Sequence, residues 1–82
     1  MKFRNQRHQE LFNQAIRRLD RQNFTLMAVV YLLTADTRLW SMAKHSICYS
    51  GVDFNCIRLR NCSVGMYTLY SAAKDLYFGT DV

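Results

Sequence analysis

Proline is absent from this 82-residue chain. No predicted helix therefore needs to be kinked from within, and the absence suits helices joined by short turns. Acidic residues are also scarce, six against eleven lysines and arginines. They are scattered singly, so no carboxylate pair is placed for general acid–base chemistry. The sequence has no glycine-rich phosphate loop, no HExxH motif and no Ser–His–Asp order. A Cys/His nucleophilic pair would further need a base and an oxyanion pocket. An enzyme is not expected, nor is a small-molecule substrate. Long apolar runs are missing too. The longest, Leu26 to Leu33, is too short to span a bilayer. The opening MKFRNQRHQE has no apolar core of a secretory signal. Cysteine is odd in number, at three. A small secreted domain would carry an even disulfide set, so a reducing cytoplasm is expected, where clustered Cys and His bind metal.

What is present points to a folded domain. Half of the residues are hydrophobic and 13% are aromatic, which excludes disorder by composition. No linker, repeat or low-complexity segment divides the chain, so residues 1–82 are read as a single domain. A chain this short buries only about 60% of its unfolded surface, and a staple would help it. Net charge is +5 and unevenly placed. Residues 1–21 carry Lys2, Arg4, Arg7, Arg17, Arg18 and Arg21 against Glu10 and Asp20. Such a face favours an acidic partner, whether nucleic acid, protein groove or membrane surface. The alternative is a solvated helix face.

Periodicity predicts a mainly α (α+β) fold of about four helices, with a short β-hairpin between the third and fourth. His8, Leu11, Phe12, Ala15, Ile16 and Leu19 form one apolar stripe, with Asn5 as N-cap. The first helix is predicted over Gln6 to Arg21. His8 on that stripe reads as a satisfied core residue. Phe24 to Ala35 is apolar nearly all round and predicts a central buried helix, although Val29 and Val30 are β-branched. A third helix is predicted over Thr37 to Lys44, with Asp36 or Thr37 as cap and Trp40 as a core anchor. Then periodicity changes. Ser50-Gly51 is a turn signal between Ile47–Cys48–Tyr49 and a strand-like run through Val52, Phe54, Cys56, Ile57 and Leu59, with a bulge near Asn55–Cys56. Arg58 and Arg60 alternate with apolar positions and should point outward. Ser63 caps the last helix, whose stripe is Met66, Leu69, Tyr70, Ala73, Leu76 and Tyr77. Gly79 ends it, and Thr80 to Val82 form a frayed tail.

The hairpin stretch holds every cysteine. His45, Cys48, Cys56 and Cys62 are spaced H-x2-C-x7-C-x5-C. Structural zinc takes four ligands, commonly Cys3His, in a closed tetrahedral site. One ion on these four residues would tie the end of helix three, the hairpin and the start of helix four. His8 and Asp53 are the substitutes for His45. No C-x2-C pair is present, and the alternative is three unpaired thiols packing as small hydrophobes.

The segments MKFRNQRHQELFNQA, AVVYLLTADTRLW and above all MYTLYSAAKDLYFGT resemble a family of small proteins of Gram-positive Firmicutes, their phages and mobile elements. The resemblance covers nearly the whole chain. The family has no assigned activity, and its members often continue past this C-terminus. The cysteines do not belong to the general family pattern, which makes a metal site a feature of this chain. Small proteins of such phages include the type II-A anti-CRISPR inhibitors, one of them zinc-containing. The resemblance implies an inhibitor, acting in the cytoplasm of a bacterial host cell, that binds the type II Cas effector nuclease and blocks guide or target DNA loading. A basic protein is a poor mimic of DNA, so it is expected to act from a lobe surface. Acidic patches there would meet Arg17, Arg18, Arg21, Arg58 or Arg60. The alternatives are a nucleic-acid-binding phage regulator, in which these arginines contact phosphates, and a non-catalytic accessory protein of a mobile element.

Overall fold

The computed structural model describes residues 3–49, 51–61 and 63–79. Helix α1 runs Gln6–Ile16, α2 Phe24–Thr34 and α3 Thr37–Ala43. A 3-10 turn, Lys44–Ser46, leads into strand β1, Ile47–Cys48, which pairs antiparallel with β2, Gly51–Val52. A second 3-10 turn, Phe54–Cys56, and an irregular stretch lead to α4, Val64–Phe78. The predicted class, four helices and a short hairpin between the third and fourth, is the observed one.

Local chemistry starts each helix. The Asn5 side chain accepts from the His8 N–H at 2.8 Å. Asn23 does the same for Leu26 at 3.0 Å. Asp36 takes both Arg38 and Leu39 N–H groups, and Ser63 takes Met66. Each cap pairs N–H groups that the first turn leaves without an intrahelical partner. Gly79, at φ 76°, closes α4 in a conformation that suits glycine.

Helix α2 is the centre of the fold. It packs most extensively on α4 and also on α1 and α3. Leu26, Val29, Val30 and Leu33 are completely buried. Each such side chain contributes about 1.5–3 kcal/mol of burial, so packing outweighs the weak helix propensity of the two valines. Around α2 lie Phe12 and Leu19 from the first segment, Leu39 and Ala43 from α3, Val52, Phe54 and Ile57 from the hairpin region, and Met66 and Ala73 from α4.

Among the described residues, every buried side-chain nitrogen and oxygen has a hydrogen-bond partner. The end of α2 tightens, with the Ala35 N–H bonded to the Leu32 carbonyl. The Tyr31 carbonyl then takes His8 Nε2 at 2.8 Å and the Thr34 hydroxyl at 3.2 Å. His8 Nδ1 accepts the Arg4 N–H at 3.1 Å. These partners fix His8 as the neutral Nε2–H tautomer, inside a cluster with Phe3 and Tyr31.

Three boundaries depart from the sequence prediction, each for a tertiary reason. Helix α1 stops at Ile16 rather than Arg21. The Arg18 and Leu19 N–H groups take i−3 carbonyls, and the Asp20 N–H is captured by the Tyr49 carbonyl at 2.9 Å. The hairpin tip therefore ends the helix. Helix α3 gives way at Lys44 to the 3-10 turn. The returning strand is only Gly51–Val52. Phe54–Cys56 forms a 3-10 turn where a bulged strand was expected, because the Asp53 side chain accepts the Asn55 N–H and its carbonyl accepts Cys56. Leu76, assigned to the buried stripe of α4, is exposed, and Leu69 is only half-buried. Ser50, Cys62 and the tail Thr80 to Val82 lie outside the described residues.

Candidate functional site

Helix α1 carries two stripes. The first, already described, enters the core. The second runs Arg7, Leu11, Gln14 and Ala15, spaced at i, i+4, i+7 and i+8, and so also shares one face; Arg18 follows in the turn just past the helix. Helix α3 and its 3-10 extension present Thr37, Trp40, Ser41 and Lys44 at matching spacing. These two stripes, with Arg17, Arg18, Leu19, His45 and Ile47, line an open groove of about 790 Å³.

The groove has a consistent chemistry. Leu11, Ala15, Trp40 and Ile47 supply its apolar floor. Arg7, Arg17, Arg18 and Lys44 bring positive charge to it, and His45 adds a fifth basic side chain. Among the described residues, no aspartate or glutamate lines it. Arg7 is the one cation among them with an ion-pair partner among the described residues, Glu10 at 3.8 Å, and both side chains are well exposed. Such a pair contributes little and opens easily. The remaining charges face water, within reach of an incoming anion. Trp40 is half-buried, packs on the core and still reaches the groove. It is both the anchor expected from sequence and part of the surface.

Of the residues assigned to partner binding, the groove gathers Arg17 and Arg18. Arg21, Arg58 and Arg60 are exposed, as expected, but do not line it. Arg7, counted in the basic N-terminal face, was not assigned to partner binding, and neither were Lys44 and Trp40. The signal for them was present in the second helical stripe of α1 and its counterpart on α3.

The hairpin presents a different arrangement. Cys48 and Cys56 are free and exposed. The Cys56 thiol donates to Asp53 Oδ2 at 3.1 Å. That hydrogen bond, and then the carboxylate's charge, push the thiol above its ordinary range, with a smaller contribution from neighbouring Cys48. Cys48 and Asp53 also share a shallow cavity of about 400 Å³ with Phe54, Tyr77 and Phe78. His45 lines the other groove. Among the described residues, no three His, Cys, Asp or Glu side chains come together so as to hold a metal ion. Cys62, the fourth member of the expected set, lies outside those residues. His8 is closed as a substitute ligand, since both ring nitrogens are engaged in the core. Asp53 is the substitute that the fold does bring to a thiol.

The raised Cys56 thiol is the opposite of an activated nucleophile, which needs its thiolate stabilised. No helix among the described residues is long and apolar enough to cross a membrane. Comparison with protein-family models, with curated proteins and with solved structures finds no match for this chain.

Proposed function

We propose that this protein is a non-catalytic binding module whose working surface is the groove between α1 and α3. The observation that carries the reading is the convergence of Arg7, Arg17, Arg18 and Lys44 around an apolar floor, with no carboxylate among the described residues of the lining. Clustered cations of this kind steer and orient a negatively charged partner. Following the family resemblance, the partner is the type II Cas effector nuclease, and binding inhibits its loading or cleavage of target DNA. Co-purification with that nuclease and a target-cleavage assay test the proposal. Wild-type protein should be retained and should suppress cleavage. A double Arg17→Glu, Arg18→Glu variant should lose both while keeping its helical content, because both residues are exposed. Retention of full inhibition by that variant would refute the assignment of the groove.

A second reading is a nucleic-acid-binding phage regulator, which the same cations favour. It predicts binding to generic DNA that weakens steeply with salt, by about 0.9 logarithmic units per phosphate contact for each decade of salt.

We further propose, from the cysteine spacing and the Cys56–Asp53 contact, a structural zinc at the hairpin. Its ligands would be Cys48, Cys56 and Cys62, completed by His45 or Asp53. Elemental analysis of protein purified without added metal tests this. The proposal expects about one zinc per chain, as a closed structural site requires, and a lower melting temperature after chelation. Metal-free protein with freely reacting thiols refutes it.

A further inference from the structure

The groove's shape and lining narrow the kind of partner it takes. The groove is open, and its volume, about 790 Å³, is comparable to that of ligand clefts, about 300–1,000 Å³. A short segment fits such a space better than a flat protein face. The floor is mostly aliphatic, from Leu11, Ala15 and Ile47, with one half-buried aromatic, Trp40. Single-stranded nucleic acid uses successive exposed aromatic platforms on which bases stack, and this groove offers one ring. An aliphatic floor between two helices instead matches the apolar face of a peptide laid in a groove. The rim is cationic on both walls, with Arg7 on α1, Arg18 in the turn just past it and Lys44 beyond α3. An occupant that satisfies floor and rim together carries carboxylates flanking an apolar anchor.

We infer that the groove binds an acidic amphipathic peptide segment, with an aliphatic side chain of the segment seated against Trp40 and its carboxylates paired with Arg7, Arg18 and Lys44. The inference rests on the proposed role of the groove as the partner surface and specifies what that surface recognises. In the partner, the recognised element is a short acidic stretch with leucine-like residues at helical spacing. The nuclease's nucleic-acid channel is not required.

Trp40 is the only tryptophan in the chain, so its emission reports the groove directly. The probe is a short end-capped peptide with Glu and Leu at i, i+4 spacing. Two controls accompany it: the same peptide with every Leu replaced by Ser, and a single-stranded oligodeoxynucleotide of equal net charge. The leucine peptide should shift Trp40 emission to the blue and saturate. The serine peptide should bind at least about tenfold more weakly, since a lost apolar anchor is worth about that factor. Lys44→Glu and, separately, Arg17→Glu with Arg18→Glu should each weaken the leucine peptide by about tenfold or more. The two variants lie on opposite walls, so misfolding of one leaves the other as a test.

Absence of any shift with the leucine peptide overturns the inference. So does equal binding of the serine peptide, which removes the anchor, or tighter binding of the oligonucleotide. Failure here is separable from failure of the functional reading. If the peptide does not bind but groove variants abolish nuclease inhibition, the groove remains the partner surface and only the peptide inference falls. If the peptide binds but groove variants still inhibit, the peptide inference stands and the functional reading falls.

Discussion

The groove and the hairpin differ in a way that runs against their appearance in the sequence. The three cysteines lie within fifteen residues, yet the fold leaves Cys48 exposed on a two-residue ladder and Cys56 exposed in the 3-10 turn after it, with Cys56 alone bonded to Asp53. Lys44 is far in the chain from Arg7 and Arg18, yet all three share one groove. The reason is mechanical. The groove walls are helices whose opposite faces are locked into the core through Phe12, Leu39 and Ala43. Those buried contacts decide where the outward stripes point. The hairpin region is anchored too, through Val52, Phe54 and Ile57, but Cys48 and Cys56 lie on its exposed side, where local turns place them. Proximity along the chain is a weaker guide to a site than attachment to a rigid frame.

Several substitutions sharpen or break that contrast. The largest effect is expected in the shared frame. Leu33 is fully buried in α2, and Leu33→Ala should cost about 2–5 kcal/mol, close to the whole stability of a domain of this size. Thermal melting should show both regions lost together. A melting temperature within a few degrees of wild type would mean that α2 is not the common support.

Next comes a change confined to the α1 side. His8→Leu keeps bulk but strips the partner from the Arg4 N–H and one donor from the Tyr31 carbonyl. Unpaired buried groups cost about 1–3 kcal/mol. Chemical denaturation should report that loss, while Cys48 alkylation in the native state stays as in wild type. If hairpin reactivity rises in parallel, the two regions are coupled more tightly than the account allows.

A smaller effect is expected on the hairpin side. The Tyr77 hydroxyl accepts the Val52 N–H at 3.2 Å and fills the space where a Gly51 Cβ would stand. Tyr77→Phe should cost about 1 kcal/mol, the worth of one hydrogen bond, and Trp40 emission should not move. Gly51→Ala pushes the ring aside and should loosen the same spot.

The smallest effect is one of reactivity alone. Asp53 opposes formation of the Cys56 thiolate by hydrogen bond and charge. Asp53→Asn removes that charge, so the thiolate should form at lower pH and alkylation at a fixed mildly alkaline pH should speed up. Peptide mapping by mass spectrometry isolates Cys56 from the other thiols. An unchanged pH profile would show that the contact is not kept in solution.

The parts of this fold that were legible in sequence are those set by neighbours in the chain. Asn5, Asp36 and Ser63 cap helices because each sits three residues before the N–H it accepts. The apolar run of α2 reads as central because nothing on it needs water. What was not legible depends on distant partners. The end of α1 is set by the Tyr49 carbonyl reaching Asp20. The shortness of β2 reflects Asp53 turning the chain, and the exposure of Leu76 reflects which side of α4 the core leaves open. The groove was half legible. Arg17 and Arg18 were marked as a basic face, and each stripe can be counted, but only the packing of α1 and α3 shows that the stripes meet.

The central claim is that the groove, and not the hairpin, is the surface that meets the partner. One measurement addresses it most directly: equilibrium binding to the effector nuclease by two variants matched in melting temperature. One reverses Arg17 and Arg18 to Glu, and the other reverses Arg58 and Arg60, which follow the hairpin and are exposed, to Glu. The account predicts that the groove variant loses at least about tenfold in affinity, a difference of about 1.4 kcal/mol, while the Arg58/Arg60 variant binds as wild type does. Undiminished binding by the groove variant, with loss in the Arg58/Arg60 variant, would contradict it.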